Sequence, residues 1–132
     1  MIGSNPHRWR MQRVGQKDTS PEMAVRRLIF ASGYRYRLHQ RDLPGCPDIV
    51  FLKRKKVIFV HGCFWHRHVG CKRAAMPNTN QDFWRLKFAK TIERDAKIIS
   101  ALRELGWDSL VIWECELKIP DILLKRIKSF LS

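Results

Sequence analysis

Asp48-Ile49-Val50-Phe51-Leu52-Lys53-Arg54-Lys55-Lys56-Val57-Ile58-Phe59-Val60-His61 is the stretch that decides the fold. Two apolar runs, 49–52 and 57–60, are rich in β-branched and aromatic residues, which suit a pleated strand. The four basic residues between them read as a hairpin connection. Upstream, Thr19 and Glu22 have capping-box spacing and Pro21 suits a first turn. A helix is therefore expected over 19–32, stopped by Gly33. Alternation over 34–39 predicts a strand, and 43–46 a turn. Downstream, a loop rich in His, Cys and aromatics spans 62–80, and a long helix spans 81–105, ended by Gly106. A third core strand is expected at 109–113. Pro120 opens a terminal helix with Ile122, Leu123 and Ile127 facing inward. This order predicts a layered α/β domain with a central mixed sheet flanked by helices.

A chain of 132 residues fits one domain, here 1–132. Residues 1–18 are polar and basic, either a solvated tail or an arm that orders on nucleic acid. Lys plus Arg number 26 against 12 acids, a formal net charge of +14. That surplus favours a polyanionic partner, nucleic acid or an anionic membrane, and a ribosomal or histone-like binder would look similar. No apolar run is long enough to span a bilayer, and the first residues lack a secretory pattern, so a cytosolic protein is expected. In that compartment four cysteines point to metal rather than disulfides.

Cys63, His66, His68 and Cys71 fall within nine positions, and Cys115 follows the last core strand. Three thiolates and one imidazole make a tetrahedral zinc site. Spacing alone leaves His66 and His68 both open as the fourth ligand. Buried free thiols are the plainer alternative. Cys46 stands apart after a turn and reads as a structural or free thiol.

Asp48 begins an apolar strand. It either caps a turn or anchors a catalytic magnesium ion on a rigid element. In the long helix, Trp84, Phe88, Ile92, Ile99 and Leu102 share a face by their spacing, and Asp95 falls on it. An inward carboxylate needs a partner: backbone, arginine, or a histidine that it orients. His61 and His66 flank the start of the loop, where an imidazole could move a proton. The adjacent Phe64 and Trp65, joined by Trp84, pack on the metal loop or wedge between bases.

Asp48, the string Phe59-Val60-His61-Gly62-Cys63-Phe64-Trp65-His66, Phe83-Trp84, Glu93-Arg94-Asp95, and Gly106-Trp107 with Val111-Ile112-Trp113-Glu114-Cys115 resemble the very-short-patch repair (Vsr) DNA mismatch endonucleases. Arg10-Met11 and Asp18-Thr19 with Glu22 fit the N-terminal part of that family, and the likeness spans about 7–117. The resemblance implies a restriction-endonuclease-like fold with a zinc-stabilised loop. It also implies nicking 5′ of the T in a T·G mismatch left by deamination of 5-methylcytosine. Asp48 would then bind magnesium with the main-chain carbonyl of Val60. His66 would be the general base with Asp95 as its partner, and His61 and Glu22 would support the site. Cys63, His68, Cys71 and Cys115 would bind structural zinc, so the resemblance selects His68. Phe64, Trp65 and Trp84 would intercalate, helped by Met11 from the arm. Mismatch repair proteins are implied partners, and a monomer is expected. The chain departs from the pattern at Val60, where Thr is common, at Cys46, where Arg is usual, and at Thr91, where Asn is usual. A related nuclease with another DNA target, or a non-catalytic zinc-containing DNA-binding module, would carry the same charge and Cys/His cluster.

Overall fold

The computed structural model describes residues 19–132, so the expected arm at 1–18, with Met11, lies outside the described residues. The first helix, α1, spans Ser20–Ala31. Thr19 caps it by accepting the Glu22 N–H at 3.4 Å, and Pro21 occupies the first turn. Gly33 follows with φ +93°, a conformation that favours glycine.

Four strands form one sheet in the order β1 (Arg37–Leu38), β2 (Ile49–Phe51), β3 (Lys56–His61) and β4 (Asp108–Trp113). The first three pair antiparallel and β4 pairs parallel to β3, so the sheet is mixed. The connection between β3 and β4 carries the long helix α2 (Gln81–Glu104), and α3 (Pro120–Leu131) closes the fold. Every residue of β2 is buried, because helices cover both faces of the sheet. On one face, Ile49, Phe51, Ile58 and Ile112 meet Val25 and Ile29 of α1 and Leu123, Ile127 and Leu131 of α3. On the other, Val50, Val57 and Phe59 meet Leu102, Ile98 and Ile99 of α2. No helix among the described residues is long and apolar enough to cross a membrane.

Three local expectations are corrected. The strand expected over 34–39 shrinks to Arg37–Leu38. Tyr34 and Tyr36 instead pack edge-on against Phe51, with ring centroids 6.5 and 6.4 Å away. Ile92 is 52% exposed. Its helical angle lies within about 20° of that of Ile99, but the core layer does not reach it, and Ile98 and Ile99 pack on the sheet instead. Ile122 is 62% exposed, whereas Leu123, Ile127 and Leu131 form the buried stripe of α3.

The parallel register places His61 beside Trp113, so β3 and β4 end together. β2 runs the opposite way, and its entry at Asp48 reaches the same end of the sheet. That shared end carries the site.

Candidate functional site

A cleft of about 850 Å³ opens at this end, lined by Glu22, His39, Asp48, Val60, His61, His66 and Asp95, with Phe64, Trp65, Arg41 and Arg94 among its other walls. Asp48 Oδ2 accepts the Val60 N–H at 2.8 Å, which ties the entry of β2 to the exit of β3. Burial pushes the Asp48 carboxyl up to about 7, against the pull of that N–H, and the neighbouring Glu22 adds to the rise. Glu22 is only 2% exposed. Arg26 forms a salt bridge with it, and His39 Nε2 lies 2.8 Å from its Oε2. Two acids crowded in one buried site favour a divalent cation between them.

His66 Nδ1 lies 2.7 Å from Asp95 Oδ2. An ionised carboxylate only accepts, so this bond selects the Nδ1–H tautomer and leaves Nε2 to exchange a proton. Asp95 therefore faces the cleft from α2 rather than the apolar core. His61 stacks flat on His66, with ring centroids 3.8 Å apart and planes at 9°. Burial and the adjacent His66 lower His61 to about 4, so its ring stays neutral at neutral pH.

Cys63, His68, Cys71 and Cys115 gather separately, with their ligand atoms within 4.8 Å of one another. The donor set of three sulfurs and one imidazole is that of a closed structural zinc site. Burial raises the Cys63 thiol to about 12, so a metal bound there would displace its proton. His68 Nδ1 lies 3.4 Å from Cys115 Sγ, and its ring stacks on Trp113 at 4.3 Å. Trp113 also meets His61 edge-on at 5.3 Å. The structure thus groups His68 with the cysteines and His66 with Asp95. Cys46 remains an exposed free thiol on the cleft wall.

Phe64, Trp65 and Trp84 form one aromatic cluster at the cleft mouth. Phe64 is half-buried and packs on Phe88 at 5.3 Å, while Trp65 is 52% exposed. The pair does split, with one ring inward and one outward. Arg67 props the cluster: its guanidinium sits 3.9 Å over the Phe88 ring and donates to the Phe64 carbonyl at 3.0 Å.

Four of these groups escaped the sequence reading: His39, Arg26, Arg67 and Glu114. His39 carried no local signal, because its partners Glu22 and Asp48 are distant in sequence. Glu114 accepts the Cys63 N–H at 3.1 Å and pairs with Arg73 at 3.6 Å, bracing the loop between both clusters. Its place within the Trp-Glu-Cys run was the only hint.

Comparison with known proteins follows the same line. The family described as DNA mismatch endonuclease Vsr matches residues 5–73. The type II nicking enzyme V.XorIIP of Xanthomonas oryzae pv. oryzae is 47% identical over 95% of this chain and 91% of its own length. The type II nicking enzyme V.NmeAIP of Neisseria meningitidis is 43% identical, over 89% of this chain and 83% of its own. The DNA mismatch endonuclease Vsr of Escherichia coli is 42% identical, over 82% of this chain and 69% of its own.

Proposed function

The chain belongs to the Vsr family of DNA mismatch endonucleases, and on that footing we propose that it is a magnesium-dependent, strand-nicking DNA endonuclease that cuts 5′ of the T in T·G mismatches. The observation that carries this reading is one cleft holding a buried carboxylate anchor, an Asp95-oriented His66 and an aromatic cluster. The mixed sheet flanked by helices supports a restriction-endonuclease-like domain, with 1–18 as its basic arm.

Asp48 and the Val60 carbonyl would hold magnesium, which when bound polarises the scissile phosphate and acidifies water. His66 Nε2 takes the proton of the attacking water. Asp95 holds the imidazole in the tautomer that leaves Nε2 free to do so. The neutral His61 ring fixes His66 by stacking, and Glu22 supports Asp48 from below. Trp65, Phe64 and Trp84 enter beside the mismatch, with Met11 contributed by the arm. A wobble pair opens more cheaply than a matched one, so part of the discrimination is an energy difference within the DNA itself. The large positive charge supplies affinity for phosphates without reading sequence. A cytoplasmic, nucleoid-associated monomer assisted by mismatch repair proteins fits this role.

The test is a nicking assay on a labelled duplex with one central T·G pair beside its matched T·A twin, in magnesium and in EDTA. Magnesium-dependent nicking of the T strand in the mismatched duplex alone is expected. Cutting of both duplexes would keep a nuclease with another target. Binding without cutting across a randomised flank library would leave only a DNA-binding module.

Zinc in the four-residue cluster would stabilise a loop that has little regular structure of its own. Cys115→Ser should lose most of its zinc and at least about 2 kcal/mol of stability. Metal analysis and thermal melting check this, and an unchanged zinc stoichiometry would remove Cys115 from the site.

The raised Asp48 also sets a pH dependence. Its folded value of about 7 lies above its unfolded value, so without a cation this carboxyl's own contribution to stability is greatest in acid and is lost as pH rises toward 7. A bound cation needs the carboxylate, so its apparent affinity should fall by about tenfold per pH unit below 7 and level off above. Magnesium-induced shifts in Tm across pH measure this, and a flat profile from pH 5 to 8 would contradict it.

A further inference from the structure

His39 follows the short first strand in a left-handed conformation, φ +48°. Its N–H donates to the Asp48 carbonyl at 3.3 Å, which fastens the two backbones side by side. Its Nε2 reaches Glu22 Oε2 at 2.8 Å. Glu22, His39 and Asp48 each present one ligand atom, and the three atoms lie within 4.8 Å of one another. They come from α1, the residue after β1 and the entry of β2; α1 and β2 pack in the core, and β1 is held to β2 by backbone pairing. Arg26 shares the Glu22 carboxylate and supplies part of the positive charge that the two acids require.

Resting on the reading of Asp48 as the cation anchor, we propose that His39 is a direct nitrogen ligand, with Asp48 and Glu22, of the divalent cation in the cleft. The resulting donor set is mixed, two carboxylates and one imidazole beside the Val60 carbonyl. Magnesium takes oxygen ligands and gains little from imidazole, whereas first-row cations such as Co²⁺ bind it well. The site therefore prefers Co²⁺ to Mg²⁺, and His39 carries that preference. A histidine that only clamped Glu22 would leave the preference untouched. His61 and His66 form a separate cluster with Asp95, so the three imidazoles of the cleft are distinguishable by substitution.

The experiment titrates the zinc-loaded full chain with Co²⁺ and, separately, Mg²⁺. Calorimetry gives the affinities. Paramagnetic proton NMR detects the shifted, solvent-exchangeable ring N–H of a cobalt-bound histidine. Absence of thiolate-to-cobalt absorption verifies that zinc stays in place. His39→Gln keeps a side-chain donor for Glu22 but presents no imidazole. It should lose the shifted ring N–H and about tenfold or more in Co²⁺ affinity, while Mg²⁺ affinity stays within about threefold. A ring N–H signal that survives His39→Gln, or an unchanged Co²⁺ affinity, overturns the proposal. Asp48→Asn separates this failure from that of the underlying reading. If Asp48→Asn weakens both cations while His39→Gln weakens neither, the anchor stands and the His39 ligand falls. If Asp48→Asn binds both as the parent does, the anchor itself falls and the proposal with it. Matching spectra of the zinc-loaded, cobalt-free variants establish that they fold.

Discussion

Asp48→Asn should bind a T·G duplex as tightly as the parent chain and nick it slower by about a thousandfold or more. The substitution is nearly isosteric. Its amide oxygen can still accept the Val60 N–H that now meets Asp48 at 2.8 Å, so the join between β2 and β3 survives. What disappears is the charge. Asp48 is buried next to Glu22, where burial already disfavours ionisation. Removing an acid there relieves crowding, so the folded chain should be no less stable. On the proposed reading, DNA binding rests on the basic surface and the aromatic cluster, not on this carboxylate. Single-turnover nicking beside a gel-shift titration separates the two effects. Nicking within tenfold of the parent would end the claim that Asp48 anchors the metal, and lost binding would show that the carboxylate shapes the cleft.

The second large effect is expected at His66. His66→Ala should lower the nicking rate by about 10²–10⁴-fold, the usual range for a general base, while leaving cation affinity unchanged. Asp95→Asn should reproduce much of that loss by a different route. Asp95 now accepts from His66 Nδ1 at 2.7 Å, and an amide in its place no longer enforces the Nδ1–H tautomer. Because the pair acts as a unit, the double variant should be little worse than His66→Ala alone. Additive losses would mean that Asp95 acts independently of His66. A pH–rate profile adds a check: the limb belonging to the base should vanish in His66→Ala and persist in Asp48→Asn if its residual rate is measurable.

Some of this site could be read from the chain alone because its signals are local. The run 61–66 places two histidines, a cysteine and two aromatics at one strand end, and a strand end is rigid and solvent-facing. Cys115 follows a second apolar strand by two residues, so any fold that pairs the two strands in parallel brings it to the same loop. Asp95 betrayed itself by periodicity, as a carboxylate on an apolar stripe. His39 and Arg26 were silent. Each is an ordinary basic residue in its own neighbourhood and acquires meaning only across the gap to Glu22 and Asp48. Ile92 and Ile122 misled for the related reason that a helix wheel records angle, not how far the neighbouring layer extends.

By itself, the sequence determined the elements and their order. Caps at Thr19, glycine stops and apolar runs at 49–52 and 57–60 are written in local sterics and solvation, which need no distant partner. The basic excess likewise declared a polyanion before any coordinate. Spacing left His66 and His68 interchangeable, and the tertiary structure separates them by the partner each ring meets. Arg67 adopts a left-handed φ of +57° between His66 and His68, which turns the chain there. One ring then meets Asp95 on α2 and the other meets Cys115 beyond β4. Those partners lie 29 and 47 residues away. Only the packing of helix and sheet closes such loops, so no reading of spacing within nine positions could have chosen between the two.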